Sequence, residues 1–477
     1  MKFFLLASLL VVSVALAAGQ PLFQKYFTGA TLRVDYYHTG TKGEERLSLD
    51  CAIREGSWPG HRVNLVDTLN LGEYLLRAYD VTTNALLYSR GYSSVFNEWQ
   101  TTDEAGRGMY RTFSESVRMP FPRRAIQVTI GRRDKRMEFH EVFSAIIDPE
   151  DPTHIRKETT AAPFPAAAVM NNGDPSEKVD IVIIGDGYAA ADMAKFREDA
   201  RKFNEAMFRT HPFKERRKDF NVWRVDAVSR ESGIDVPDKN TWKDNVLGTK
   251  YNTFGSARYV LTEDNKALRT IAAAAPYDFI CILVNDARYG GGGIFNLYAT
   301  TYTGEAVAGQ EWQMEYVYVH EFGHSFAGLG DEYYTSSTAY NDFYLPGIEP
   351  WEPNVAALVN KGKVKWGALA SPGLAIPTPW AKASYDSIEA IRQKLDRLAP
   401  DYYEKREPLY RAGMDLLRNP AFAGKVGAFE GAGYATKGLY RPSLDCRMFS
   451  LSLVDFDPVC SAAINRMADL YSARGEK

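Results

Sequence analysis

The chain has 477 residues, 45% hydrophobic and 25% charged, with a formal net charge of −3. This is ordinary globular composition, and roughly 460 residues after a leader imply two or three domains rather than one. The near-neutral balance excludes a basic nucleic-acid footprint and a polybasic membrane patch.

Lys2 gives the N-terminus a positive start, and Phe3 to Ala18 is an apolar run ending in Ala15-Leu16-Ala17. Small residues two apart suit a signal peptidase, so residues 1–18 are expected to be a signal peptide cleaved after Ala17 or Ala18. The run is short for a bilayer, and no comparable stretch follows, so no membrane span is expected. An uncleaved N-terminal anchor is the alternative. The expected location is outside the cytoplasm, periplasmic or extracellular.

Residues 21–150 read as an all-β sandwich. Segments such as ATLRVDYYHTG and AIQVTIGRRD alternate apolar and polar side chains between Gly, Asn, Asp and Pro clusters. This accessory domain carries no catalytic constellation and is expected to pack, or to contact a glycan or protein. Residues 151–175 are rich in Pro and Ala and read as a linker.

From 176 to 477 the pattern is α/β. Val179–Ile184 is a continuous apolar run, the mark of a strand buried on both faces. The expected order is then helix 189–208, strand 220–229, helix 256–274, strand 277–284, a glycine loop 290–293, strand 294–302 and helix 310–327. The strand before the last helix is expected at the sheet edge, where an extended peptide can add by main-chain hydrogen bonds. A helical stretch over 385–417 and a last helix over 461–472 complete the chain. Gly185-Asp186-Gly187 reads as a turn after the first strand, with Asp186 capping the next helix. Of four cysteines, Cys281 reads as a buried thiol and Cys51 stands alone. Cys446 and Cys460 are close enough in sequence to bridge.

The helix over 310–327 carries His320-Glu321-Phe322-Gly323-His324. Residues four apart share one helix face, so two imidazoles can clasp a zinc ion with the intervening glutamate as general base. Zinc acidifies water and polarises a scissile carbonyl while Glu321 takes the proton. A catalytic zinc wants three protein ligands and an open position. The chain's other five histidines, His38, His61, His140, His154 and His211, all lie upstream. A downstream third ligand is therefore a carboxylate. Gly328-Leu329-Gly330 breaks the helix, and Asp331 is the expected ligand, with Glu332 the alternative. Tyr333, Tyr334, Tyr440 and Arg441 are candidates to stabilise an oxyanion, and Met448 a candidate methionine beneath the metal.

The stretch HEFGHSFAGLGDEY, with VDIVIIGDGY upstream and EGAGY-x-x-x-G-x-YRP-x-x-D-C-R-M downstream, resembles the IgA-peptidase family of bacterial metallopeptidases. The preceding sandwich is similar to that family's N-terminal domain, so the resemblance spans nearly the whole mature chain. It implies a zincin-like catalytic domain and a zinc-dependent endopeptidase. It also implies His320 and His324 as ligands, Glu321 as base and Asp331 at the matching acidic position. Compared with H-E-x-x-H-x-x-G-x-x-[HD], this chain has one extra residue before the glycine. The substrate expected is a protein or peptide. Two other readings are a zinc amidase on cell-wall peptides and a glycan- or protein-binding module with a structural metal site.

Overall fold

The computed structural model describes residues 22–153, 155–157, 164–304, 312–335, 343–360, 363–395 and 401–472. The expected signal peptide, the middle of the expected linker and the first two residues expected in the motif helix lie outside the described residues.

The N-terminal part contains strands β1 (Phe27–Thr41), β2 (Glu44–Ser57), β3 (Tyr74–Asp80), β4 (Leu86–Tyr92), β5 (Arg111–Pro122), β6 (Ile126–Arg133), β7 (Phe139–Ile147) and β8 (Ile155–Lys157). They form two four-stranded sheets, β5-β1-β2-β8 and β4-β3-β6-β7. Burial alternates strictly along β3, as the period of two demands. Leu32, Val34 and Tyr36 of β1 share one core with Leu76 and Ala78 of β3 and Val128 and Ile130 of β6. Each such aliphatic side chain contributes roughly 1.5–3 kcal/mol on burial.

The second part is built on a six-stranded mixed sheet of β9 (Ala166–Met170), β10 (Val179–Asp186), β11 (Phe220–Val225), β12 (Phe279–Val284), β13 (Gly291–Ile294) and β14 (Tyr298–Tyr302). The order is β13-β14-β12-β10-β11-β9, parallel except for the two edges, β13 and β9. Every residue of β10 is buried, as a strand covered on both faces requires; Asp180 within it accepts from the Asn221 amide and the Trp223 indole. Ile181 and Ile183 face Phe196 and Phe203 of helix α1 (Met193–Met207), together with Tyr318 and Phe322. Val182 and Ile184 face Tyr251 and Leu268, the latter from helix α2 (Asn265–Ala272). The motif helix α3 (Trp312–Ala327) packs against β13 and β14. Helices α4 (Lys382–Gln393) and α5 (Tyr402–Leu417) follow. A hairpin of β15 (Phe429–Ala432) and β16 (Ala435–Arg441) and helix α6 (Pro458–Tyr471) complete the described fold.

Several boundaries differ from the sequence expectation. The helix expected from 256 begins only after Asp264, whose side chain accepts the Ala267 N–H and so fixes the N-cap there. The strand expected over 294–302 is broken by Asn296, at φ +55°, and resumes as β14 in the sheet interior. The glycine run expected as a loop is instead the edge strand β13. The strand expected over 220–229 ends at Val225. Within the expected linker, β8 joins the sandwich and β9 pairs with β11.

The two parts share a core. Phe96 and Trp99, on a short helix after β4, pack into the cluster that covers one face of the second sheet. Ser93 N–H donates to the Phe295 carbonyl at 2.9 Å, and the Asn296 amide to the Gly91 carbonyl at 2.9 Å. The sandwich thus docks on the turn that joins β13 to β14.

Candidate metal centre and cleft

α3 ends because Gly328 adopts φ +61°, a conformation costly for other residues, and its N–H returns to the His324 carbonyl at 3.0 Å. The chain then doubles back. Asn354 clamps the return: its side chain accepts the Gly330 N–H at 2.8 Å and donates to the Gly330 carbonyl at 2.9 Å. This brings Asp331 to the two imidazoles.

His320 Nδ1 lies 3.1 Å from the Arg447 carbonyl, and His324 Nδ1 lies 2.5 Å from the Leu329 carbonyl. A carbonyl only accepts, so both Nδ1 atoms carry protons, and in the neutral tautomers that bind a metal both Nε2 atoms present lone pairs. The Nε2 atoms are 3.2 Å apart, and Asp331 Oδ1 sits 3.0 Å from one and 3.2 Å from the other. Three lone pairs thus converge in a buried space. Asp331 Oδ1 is a buried atom without a hydrogen-bond donor. Such an arrangement is stable only with a positive charge at its centre, and the donor set fits a divalent metal. A Glu321 carboxylate oxygen lies within 4.8 Å of ligand atoms of both histidines.

Titration behaviour follows from the same convergence. Burial alone would lower the His324 imidazole, but the Asp331 carboxylate lifts it to about 9. Burial would raise Asp331, and the two imidazoles instead hold it well below the usual carboxylate range. Burial pushes Glu321 up against the pull of both histidines, which suits a proton acceptor that must later donate. The Tyr434 hydroxyl donates to Asp331 Oδ2 at 2.5 Å, so the second carboxylate oxygen is held by the β15–β16 hairpin turn.

Glu321, His324 and Asp331 line a cleft of about 770 Å³. One wall is β13. A methyl group at Gly293 would stand 2.3 Å from the Glu321 carbonyl oxygen, and one at Gly291 would stand 3.1 Å from Glu321 Cγ. The glycines are therefore required by close approach of the strand to the motif helix. Arg258, Tyr289 and Tyr333 line the floor, with Arg258 donating to the Tyr333 hydroxyl at 3.2 Å. Glu98, Arg132 and Arg133 bring the sandwich domain into the opposite wall.

The other candidates separate cleanly. Tyr333 stacks near His320, with centroids 6.4 Å apart and planes at 21°. Tyr334 instead bonds Asp386, on α4. Arg441 is buried and donates to the Gly431 and Leu444 carbonyls, and Tyr440 pairs through its backbone with Ala356. Glu332 turns away from the histidines toward Cys460. Met448 lies beneath the motif helix, its sulfur 3.2 Å from where a Gly323 methyl would stand. Asp186 does not cap α1; it accepts from Gly187, Leu247 and Thr249 and pins that loop. Arg258 and Tyr434 were missed by sequence reasoning. Arg258 fell inside an overextended helix, whereas Tyr434 stood in the noted EGAGY segment without an assigned role.

A histidine pair ready for a metal, with a glutamate between, opening on a two-walled cleft, is the working part of a metallopeptidase. Family comparison reaches the same class. The family described as IgA Peptidase M64 matches residues 167–468, and that described as Peptidase M64 N-terminus matches residues 22–144. The chain belongs to the M64 peptidase family. No curated protein matches it.

Proposed function

We propose that the chain is an exported zinc-dependent endopeptidase, with His320, His324 and Asp331 as ligands and Glu321 as general base. The observation that carries this reading is the meeting of two Nε2 lone pairs and one Asp331 oxygen at 3.0–3.2 Å. Tetrahedral zinc with bonds of ~2.0–2.2 Å would set its ligand atoms roughly 3.3–3.6 Å apart, a few tenths of an ångström wider than these separations. Zinc held there supplies an electrophile that acidifies water and polarises a carbonyl. Glu321 takes the proton of the attacking water and passes it to the leaving amine. Tyr333, oriented by Arg258, donates to the carbonyl oxygen as charge develops on it. The Gly293 main chain offers an extended substrate a register beside Glu321. Residues 21–150 act as the sandwich domain that completes the cleft, and residues 176–477 as the catalytic domain. The apolar leader supports export.

The test is a denatured protein substrate with three forms of the chain. Glu321→Gln should keep its metal and lose about 10²–10⁴-fold in kcat/KM. His324→Ala should lose both metal and activity. A chelator should abolish wild-type cleavage and added zinc restore it. Full activity in Glu321→Gln would sink the mechanism.

A further inference from the structure

A second cluster of metal-ligating side chains lies behind the first: Glu332, Cys446, Asp457 and Cys460, all buried. The Cys446 and Cys460 sulfurs are 3.8 Å apart. Cys460 Sγ is 3.3 Å from Glu332 Oε1 and 3.6 Å from Asp457 Oδ2. Zinc bonds of ~2.3 Å to sulfur and ~2.0–2.2 Å to oxygen, at tetrahedral angles, give roughly 3.8 Å between two sulfurs and about 3.5 Å between sulfur and oxygen. The three edges that meet at Cys460 lie within about 0.3 Å of those values, and all four ligand atoms lie within 4.8 Å of one another. The two cysteines are free thiols, so the bridge that their spacing allows is not formed.

Two further observations point to a ligand. Glu332 is fully buried, and its Oε2 has no hydrogen-bond partner while Oε1 accepts from Asn354 at 2.9 Å. Asp457 N–H is directed at Cys446 Sγ at 3.4 Å, the kind of donor a thiolate collects. Four acids packed together in a dry interior need either their protons or a cation.

We propose that Glu332, Cys446, Asp457 and Cys460 form a closed, structural zinc site distinct from the catalytic centre. Two thiolates with two carboxylates select zinc over magnesium or calcium, which prefer oxygen alone. All four positions are filled by protein, which leaves none for a substrate. Its consequence is positional. Glu332 follows Asp331 directly, and its N–H donates to the Met448 carbonyl at 2.9 Å. Arg447, whose carbonyl orients His320, lies between Cys446 and Met448. The second ion ties the loop bearing Asp331 to the segment that orients His320.

The test uses the full chain expressed with cobalt in place of zinc. A catalytic site of two imidazoles and one carboxylate gives no thiolate-to-cobalt charge-transfer band in the near ultraviolet. The second site gives a strong one. That band, with two metal equivalents per chain, is the expected result. It should persist in His320→Ala/His324→Ala, which retains one equivalent, and lose at least half its intensity in Cys460→Ser, which leaves one thiolate. Should Cys460→Ser fail to fold, the wild-type and double-histidine spectra decide alone. A wild-type protein without the band overturns the proposal. So does a chain that, unfolded without reductant, shows two titratable thiols in place of four, because Cys446 and Cys460 would then be a disulfide.

Discussion

Replacing Gly293 with alanine puts the closest contact in the cleft to the test. The added methyl would lie 2.3 Å from the Glu321 carbonyl oxygen and 2.9 Å from His324 Cβ. Neither neighbour is the free end of a flexible side chain. The oxygen belongs to the helix backbone, and His324 is fixed by its bond to the Leu329 carbonyl. β13 must therefore retreat from α3 by about 1 Å to restore van der Waals contact, an overpacking cost of roughly 1–3 kcal/mol. At about 2–4 °C per kcal/mol for a domain of this size, Tm falls by roughly 2–12 °C. The larger effect should be on rate. A misplacement near 1 Å of a strand that registers the substrate costs on the order of 10²-fold in kcat/KM. Gly367→Ala is the control, since a methyl there meets nothing within 4 Å. Thermal scans and peptide kinetics on both variants suffice. A Gly293→Ala protein with wild-type Tm and wild-type kcat/KM would refute the claim that the glycine run is imposed by the helix.

Tyr434→Phe removes the donor to Asp331 Oδ2 and should weaken metal binding by about 10–100-fold, read by competition with a chelator. Tyr333→Phe should lower kcat by about 10²-fold or more with little change in KM, because its hydroxyl is engaged only as charge develops; an equal change in KM alone would argue for substrate binding instead. His61 tests pH dependence away from the site. Its Nδ1 accepts the Val63 and Asn64 N–H groups, and burial, helped by the Arg90 charge, lowers it to about 4. A histidine depressed on folding binds its proton more readily in the unfolded chain. Stability is then lost as pH falls from about 6.5 to about 4, by no more than about 3 kcal/mol. His61→Asn keeps an acceptor without the titration, so denaturant midpoints for this variant should fall less steeply over that window.

What could be read from the sequence was whatever leaves a local pattern. β10 is an apolar run interrupted near its start by Asp180, α3 is a four-residue histidine spacing, and the helix stop is a glycine followed by acids. Each follows from chemistry within a few residues. The glycine strand was misread because glycine in sequence signals a turn as readily as a close approach. Only the facing Glu321 carbonyl tells the two apart. Arg258 reaches the cleft from irregular chain between Gly255 and the Asp264 cap, where no period marks a functional side chain. Tyr434 is one of 28 tyrosines, and its partner Asp331 lies 103 residues away. The competition between Asp331 and Glu332 could not be settled by spacing. It turns on Asn354, which holds Gly330 and one oxygen of Glu332 at once.

That double hold explains why adjacent carboxylates serve different ends. Successive side chains on an extended segment point to opposite sides, so a loop that aims Asp331 at the histidines must aim Glu332 into the protein behind them. A carboxylate sent inward without a partner would cost several kcal/mol. The chain meets it on one oxygen, Oε1, which accepts from the Asn354 amide and faces the Cys460 sulfur. The sandwich domain is constrained in the same way from the other side. Its Ser93 and Gly91 bond the turn after β13, and Glu98 bonds Tyr259 beside it. The strand wall, the Asp331 carboxylate and the orientation of His320 are each fixed by segments remote in sequence. The rigidity that the proposed metal centre needs therefore comes from the whole two-domain assembly, and the motif helix alone would not supply it.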